Sequence, residues 1–144
     1  MIRSGTILFV VLVAFAGLLC GCGGDGDGGG GGGTPVNIVG TWVGPMTHRV
    51  IDNNAGTDIT VTYTAIFYIL WQGGNKVSGK MQLGDPSHVG FLDGTMSGSR
   101  FNGTRSSSHV AQLKFDVSGN TLTGTFRFVG AGLDETGNYT CTKQ

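Results

Sequence analysis

Cysteine and histidine are the residues of this chain with the most specific chemistry, and the spacing of the cysteines raises the first question. Cys20 and Cys22 stand one residue apart at the end of an apolar run, whereas Cys141 lies near the end of the chain. A Cys-x-Cys pair can hold a metal ion or form a disulfide. That interpretation requires Cys20 to remain in the mature protein, whereas the residues around it indicate that it is removed.

The histidines show no spacing typical of a metal site. His48, His88 and His109 each lack a second ligand at a metal-site spacing such as His-x-His or His-x-x-x-His. We therefore expect solvated loop histidines and no metal site, with convergence of all three on one ion as the alternative. No G-x-S-x-G motif is present, so the sequence predicts no catalytic residues, no cofactor and no enzymatic activity.

The N-terminus has the order of an export signal. A short start carrying Arg3 precedes an apolar run over residues 6–19, and small residues follow. The run is roughly 14 residues long, whereas a helix that spans a bilayer needs about 20. A cleaved signal is therefore favoured over a permanent transmembrane helix.

The segment Leu19-Cys20-Gly21-Cys22 resembles the lipobox of bacterial lipoproteins, in which a small residue precedes the modified cysteine and a leucine stands three positions before it. The resemblance implies that residues 1–21 are a signal peptide, that Cys20 is removed with it, and that Cys22 carries the lipid. Gly23 follows Cys22 where an aspartate favours retention in the inner membrane. By the same resemblance we expect attachment to the outer membrane of a Gram-negative cell, facing the periplasm.

Residues 22–35 are predicted to be a tether between the lipid and a folded domain. Residues 23–33 comprise nine glycines and two aspartates, so they have almost no side chains to bury and are expected to be disordered. A random coil of this length reaches about 17–20 Å. The tether would hold the domain just clear of the lipid headgroups.

Residues 36–144 alternate between apolar and polar residues with the period of two that is typical of β-strands. The clearest strand covers residues 58–72, whose length predicts a bend or bulge. Turn signals at residues 73–75 and 118–120 predict hairpins. In all, the pattern predicts eight strands joined by short turns, with residues 46–57 as the longest connection. With nine basic and nine acidic residues and no basic patch, nucleic acid is not an expected partner.

Glycines recur at inward positions of these strands, where they relieve crowding and let strands coil sharply. An antiparallel up-and-down meander that closes into a small barrel is therefore favoured over an open sheet or a sandwich, because only closure removes both edges. The glycines predicted to face inward are Gly40, Gly79, Gly94, Gly103, Gly124 and Gly137.

The residues Gly40-Thr41-Trp42, near the start of the first strand, resemble the G-x-W signature of lipocalin-type barrels. The resemblance implies an eight-stranded lipocalin-like cup with the tryptophan at its closed base and a small apolar ligand inside. Avidin-like barrels and small bacterial barrel lipoproteins are similar as well.

Two functions remain open for the barrel. In the first, inward side chains line a site for a small apolar ligand. In the second, the interior is filled and the domain is a protein-interaction, inhibitor or scaffold module for a periplasmic partner, which would contact the 46–57 segment or an outer stripe formed by Ile66, Tyr68 and Leu70. The candidate ligand-binding residues are Trp42, Tyr63, Phe67, Trp71, Met81, Phe115, Phe126 and Phe128. Cys141 is predicted to face inward and to be buried and unreactive.

Overall fold

The computed structural model describes residues 33–144, which form an all-β domain of eight strands. The predicted signal peptide, Cys20, the lipidation site Cys22 and residues 23–32 of the tether lie outside the described residues. The strands are β1 Gly40–Asp52, β2 Thr57–Gly73, β3 Lys76–Leu83, β4 Val89–Ser97, β5 Arg100–Ser106, β6 Val110–Ser118, β7 Thr121–Gly130 and β8 Leu133–Lys143.

The eight strands form a closed barrel. Each strand pairs antiparallel with the next along the chain, and β8 pairs with β1. The predicted eight-stranded up-and-down barrel is therefore confirmed. Closure leaves no strand edge without hydrogen-bonded neighbours, which is the reason for preferring it over an open sheet.

The hairpin turns confirm two predictions and correct a third. Gly74 and Gly119 occupy the predicted turns with φ angles of 60° and 56°, in the left-handed region that favours glycine. The predicted long connection over residues 46–57 is wrong. β1 continues to Asp52, because its C-terminal half pairs with both β2 and β8, and only residues 53–56 form the turn.

The expected irregularity in β2 is a register shift between Ile69 and Trp71. The shift inserts one residue, which reverses the alternation of side chains beyond it. The predicted inward orientation of Trp71 is therefore wrong, since this side chain lies on the outer surface with 52% of its area exposed. Strict period-two counting fails there because the bulge places Leu70 and Trp71 both outside.

The barrel interior is filled with apolar side chains. Phe101 and Phe115 stack with ring centroids 4.3 Å apart, and the rings of Phe67 and Tyr139 approach to 4.9 Å. The Tyr139 hydroxyl donates to the carbonyl of Lys114 at 3.2 Å, so its polar atom is satisfied inside the core. The largest fully buried side chains are Trp42, Tyr139, Phe67, Phe101, Phe115, Ile38, Met46, Ile69, Met81, Leu92, Leu113 and Leu122.

The chain closes one end of the barrel just before β1. Ile38 is fully buried and receives the indole N–H of Trp42 on its carbonyl at 2.9 Å. The Ile38 amide in turn donates to the side chain of Gln72 at 2.9 Å. Trp42 therefore lies at a closed base, as the G-x-W resemblance implied. Within residues 33–144, no helix is long and apolar enough to span a bilayer.

Candidate binding site at the open end of the barrel

The inward-facing positions change from apolar to polar at the end of the barrel opposite Trp42. β1 presents His48 two residues after buried Met46, and β2 presents Tyr63 two residues before buried Ala65. In the same way, Arg105 comes two residues after Gly103. Glu135 and His109, from β8 and the β5–β6 loop, complete the group. Strand alternation thus brings four titratable side chains to one mouth, and the β5–β6 loop adds His109.

Tyr63, His48 and Glu135 form a chain of polar contacts across this mouth. The Tyr63 hydroxyl contacts Nδ1 of His48, and Nε2 of the same ring lies 3.2 Å from a carboxylate oxygen of Glu135. Burial raises the pKa of Tyr63 to about 12, so its hydroxyl keeps its proton and donates to Nδ1. The proton of neutral His48 is then on Nε2, facing Glu135.

Burial also lowers the pKa of His48 below its ordinary value of 6.5, although Glu135 opposes this effect by favouring the charged ring. His48 is therefore neutral at pH 7. His109 approaches the other oxygen of Glu135 at 3.9 Å. Two histidines thus converge on one carboxylate, and His48 lies in strand β1 rather than in the predicted loop.

This convergence does not make a metal site in the described domain. Residues 33–144 contain no group of three His, Cys, Asp or Glu side chains placed to hold a metal ion. His88 contributes its backbone carbonyl, which accepts a hydrogen bond from Arg105 at 3.3 Å. Its imidazole contacts Ser87 instead.

Arg105 is the cation of the mouth; within residues 33–144 it makes no close ion pair, although the charge of Glu135 acts on it at longer range. Its terminal nitrogens donate to the Ser107 hydroxyl at 3.1 Å and to the His88 carbonyl. Among residues 33–144, no carboxylate lies within 4.0 Å of its guanidinium, and its buried Nε has no hydrogen-bond partner. Burial lowers the pKa of Arg105 from its usual value. The mouth therefore contains a half-buried positive charge with an unused donor.

Glycines provide the space for this arrangement. A Cβ on Gly90 would lie 2.8 Å from both Cγ and Nε of Arg105, so a side chain there would displace the arginine. A Cβ on Gly137 would lie 2.2 Å from the ring of Phe126. Phe126 in turn contacts His48 with ring centroids 5.0 Å apart. The absence of side chains at both glycines thus positions the cation and an aromatic wall.

The structure divides the eight predicted ligand-binding residues into three groups. Four are packed deep in the filled core, namely Trp42, Phe67, Met81 and Phe115. Three lie toward the mouth, namely Tyr63, Phe126 and Phe128, and His109 stacks on Phe128 with centroids 4.4 Å apart. Trp71 lies outside the barrel. Arg105, Glu135 and His48 are not among the predicted residues, although polar residues at inward positions of alternating strands were the signal that could have identified them.

The outer surface of the barrel has two different sides. Across β5 to β8 and β1, an open groove of about 760 Å³ is lined largely by polar side chains such as Lys114, Thr125 and Asn138. This groove is outside the barrel and is not the apolar ligand cavity considered for the interior. Across β2 to β4 the surface is more apolar, and Phe91 is 64% exposed there.

The low pKa of His48 predicts a pH-dependent stability. Between pH 6.5 and the lower pKa of the folded state, unfolded chains bind a proton that the folded chain does not, so the free energy of unfolding falls as the pH is lowered through this range. We expect His48→Gln to remove this contribution and His88→Gln to retain it. Denaturant titrations from pH 7 to pH 5 measure the difference. Equal slopes for His48→Gln and the unmodified protein would contradict the assignment.

Cys141 is expected to be inert while the barrel is folded. Its thiol is fully buried with Sγ 3.9 Å from the Ala65 carbonyl, and burial raises its pKa to about 11. A chain carrying Cys20→Ser and Cys22→Ser should therefore leave a thiol reagent unreacted at pH 8 and consume one equivalent upon denaturation. Rapid labelling under native conditions would show that the core opens locally.

Comparisons with known proteins give no family for this chain. No family model matches it, and no curated protein matches it. Among solved structures, a single-residue mutant of the fluorescent protein UnaG aligns with 12% sequence identity and a TM-score of 0.39, over 74% of this chain and 96% of that one. The class of this protein, a closed eight-stranded antiparallel barrel with a polar mouth, therefore rests on its own strand pairing.

Proposed function

We propose that this chain is a lipid-anchored binding protein without catalytic activity, attached through Cys22 to the outer membrane and facing the periplasm. Its ligand is a small organic anion with an apolar body, held at the open end of the barrel. The observation that carries the proposal is the half-buried guanidinium of Arg105, which has no carboxylate partner among residues 33–144.

An anionic ligand would satisfy this cation. Guanidinium groups bind carboxylates and related anions with paired, charge-assisted hydrogen bonds, which are stronger in a partly dehydrated site. Glu135 does not take this role, because it faces His48 and His109. The Nε donor of Arg105 is buried and has no hydrogen-bond partner among residues 33–144, so a ligand would approach the guanidinium through its terminal nitrogens.

The apolar part of the ligand would rest on the aromatic wall at the mouth. Phe128 on β7 and Tyr63 on β2 are both partly buried and pack against the core. Below them the interior is filled, so the site is shallow rather than a deep cup. This geometry favours a compact ligand over one with a long hydrocarbon chain.

The protonation states support a binding role over catalysis. Tyr63, with a pKa of about 12, does not act as a nucleophile or base near neutral pH. The Cys141 thiol has a pKa of about 11 and is buried away from the mouth. Tyr63 and His48 thus orient each other and Glu135 without supplying an activated nucleophile.

The anionic dye anilinonaphthalene sulfonate tests the site directly. Arg105→Met should weaken dye binding by about 10- to 100-fold, because a hydrogen-bonded charge contributes about 1.5–3 kcal/mol. Arg100→Met is the matched control, since Arg100 is exposed and paired with Asp116 on the outer surface. Phe91→Ser controls for dye on the outer apolar side. Unchanged affinity in Arg105→Met would reject the proposed site.

The anchor is tested separately by mass spectrometry of protein extracted from native membranes. A mature chain that begins at Cys22 with a diacylglyceryl group supports the proposal. A chain that retains Cys20 or carries unmodified Cys22 rejects it. Replacing Cys22 with Ser should release the protein from the membrane fraction, whereas Cys20→Ser should not.

A second function, docking of a periplasmic protein, is favoured by the outer apolar side of β2 to β4. Ile66 and Tyr68 are half-buried there, and Phe91 is strongly exposed beside Lys80, whose ammonium lies 5.9 Å from the ring. A stripe of this kind is typical of interaction surfaces. Cross-linking from position 91 in intact cells would capture such a partner, and Phe91→Ser should abolish the cross-link made from a neighbouring position.

A further inference from the structure

We propose that the closed base of the barrel rests on the lipid bilayer, with Trp71 and Leu70 inserted at the level of the headgroups. The inference rests on the anchoring part of the proposed function and adds an orientation to it. It starts from an exposed apolar patch, which we call the base patch. The base patch consists of Val36, Val39, Leu70 and Trp71.

The base patch is exposed to a degree that is unusual for such side chains. Leu70 is 62% and Trp71 52% exposed, and the two valines are exposed as well. A half-exposed tryptophan leaves a large apolar area in contact with water. Isolated exposed apolar residues are ordinary, but four that are adjacent indicate a contact.

The four residues are adjacent because the segment before β1 lies along the end of β2. The Gln72 side chain donates to the Val36 carbonyl at 2.9 Å and accepts from the Ile38 amide at 2.9 Å. The first pair of the β1–β2 ladder joins Gly40 to Ile69, which brings Val39 beside Leu70. The base patch is thus one surface at one end of the barrel.

The chain leaves the domain at this same end. Val36 donates its amide to the Gly98 carbonyl in the β4–β5 turn at 3.1 Å, and the described residues begin three positions earlier, at Gly33. Residues 23–35 separate Cys22 from Val36. Even a fully extended chain of that length spans no more than about 50 Å, and a random coil spans about 18–22 Å. Because the average reach of the tether is short, anchoring at Cys22 favours the base, rather than the mouth, as the end beside the lipid.

The chemistry of the base patch suits a lipid surface. An indole combines an apolar ring with one N–H donor, and tryptophan is enriched at membrane interfaces for that reason. Gly73 lets the Trp71 ring lie along the strand, since a Cβ there would be 2.2 Å from the indole Cζ2. Lys76 at the start of β3 is exposed at the same end and can pair with lipid phosphates.

This orientation has a consequence for the mouth. Arg105 and Glu135 lie at the opposite end of the strands, which would then point away from the bilayer into the periplasm. A ligand could reach them without crossing the lipid surface. The bulge turns Trp71 outward, and Trp71 would hold the base on the lipid. The mouth would therefore be the end that is open to solvent.

The test measures quenching of tryptophan by brominated phospholipids. Residues 1–21 are replaced by a polyhistidine tag, and the chain is bound to vesicles that contain phosphatidylethanolamine, phosphatidylglycerol and a nickel-chelating lipid. This attachment keeps residues 22–144 and does not depend on acylation. Because the chain has two tryptophans, Trp42→Phe reports Trp71 alone and Trp71→Phe reports Trp42 alone.

We expect brominated lipids to reduce Trp71 fluorescence by more than half and to leave Trp42 fluorescence nearly unchanged. Equal, weak quenching of both residues on vesicles that retain the protein would overturn the docking proposal, whether or not Cys22 is acylated in cells. Strong quenching of Trp71 together with an unmodified Cys22 from native membranes would support docking while rejecting the anchor. Leu70→Ser should reduce the quenching of Trp71 in either case.

Discussion

Trp42→Ala is expected to lower the free energy of unfolding by about 3–5 kcal/mol, the range for removing a large aromatic side chain from a core. Trp42 is 1% exposed and also donates its indole N–H to Ile38, so the variant loses a buried hydrogen bond and opens the closed base. Since a domain of this size is stabilised by only about 5–15 kcal/mol, much of the population should unfold at moderate temperature.

The second tryptophan provides the matched control. Trp71→Ala removes the same side chain from a surface position and should change the free energy of unfolding by less than about 1 kcal/mol. Guanidinium titrations followed by circular dichroism compare the two variants without relying on tryptophan emission. Similar losses in both variants would contradict the surface position of Trp71.

Gly103→Val is expected to destabilise the barrel by at least about 3 kcal/mol, the upper end of the range for overpacking. A Cβ at this position would lie 2.3 Å from the Asp93 carbonyl oxygen and 2.7 Å from the Gly94 Cα. Both atoms belong to the backbone of β4, which is paired with β5 through Gly94 and Gly103. No rotation of a flexible side chain relieves this contact, so the strands must separate.

Gly74→Asn is the control for the loss of a glycine. Gly74 lies in the β2–β3 turn with a φ of 60°, and a Cβ at this position would have no atom within 4 Å. Asparagine tolerates that backbone conformation. The variant should remain within about 1 kcal/mol of the unmodified protein in thermal and denaturant unfolding. A folded Gly103→Val protein with unchanged stability would show that β4 and β5 are not closely paired at this point.

The sequence was informative about the barrel because its signals are local. Period-two alternation, the turn residues around Gly74 and Gly119, and the inward glycines each depend on a few neighbouring positions, and the structure confirms them. The sequence-based predictions were wrong where pairing with a strand distant in the sequence determines the local structure. β1 extends through residues 46–52 because β8, roughly 90 residues away, pairs with it.

At the candidate site, too, local sequence signals predicted some features and contacts between distant strands determined the others. Alternation alone placed Tyr63, Phe126 and Phe128 on the inner face, and the structure brings them toward the mouth. The partnership of His48 with Glu135, and the unpaired state of Arg105 among residues 33–144, depend on strands that meet only when the barrel closes. Spacing along one strand carries no information about which residues of other strands lie opposite across a mouth.

The sequence by itself determined the all-β class, the meander and the expectation that residue 22 is the attachment point of a lipid. These follow from periodicity, turn chemistry and a short motif, all of which act over a few residues. The tertiary structure alone decided that the interior is filled, that Trp42 closes the base while Trp71 faces solvent, and that a cation of the described domain is left unpaired at the mouth. The physical reason is that packing, burial and charge pairing are properties of side chains from distant strands, which the closed sheet brings together.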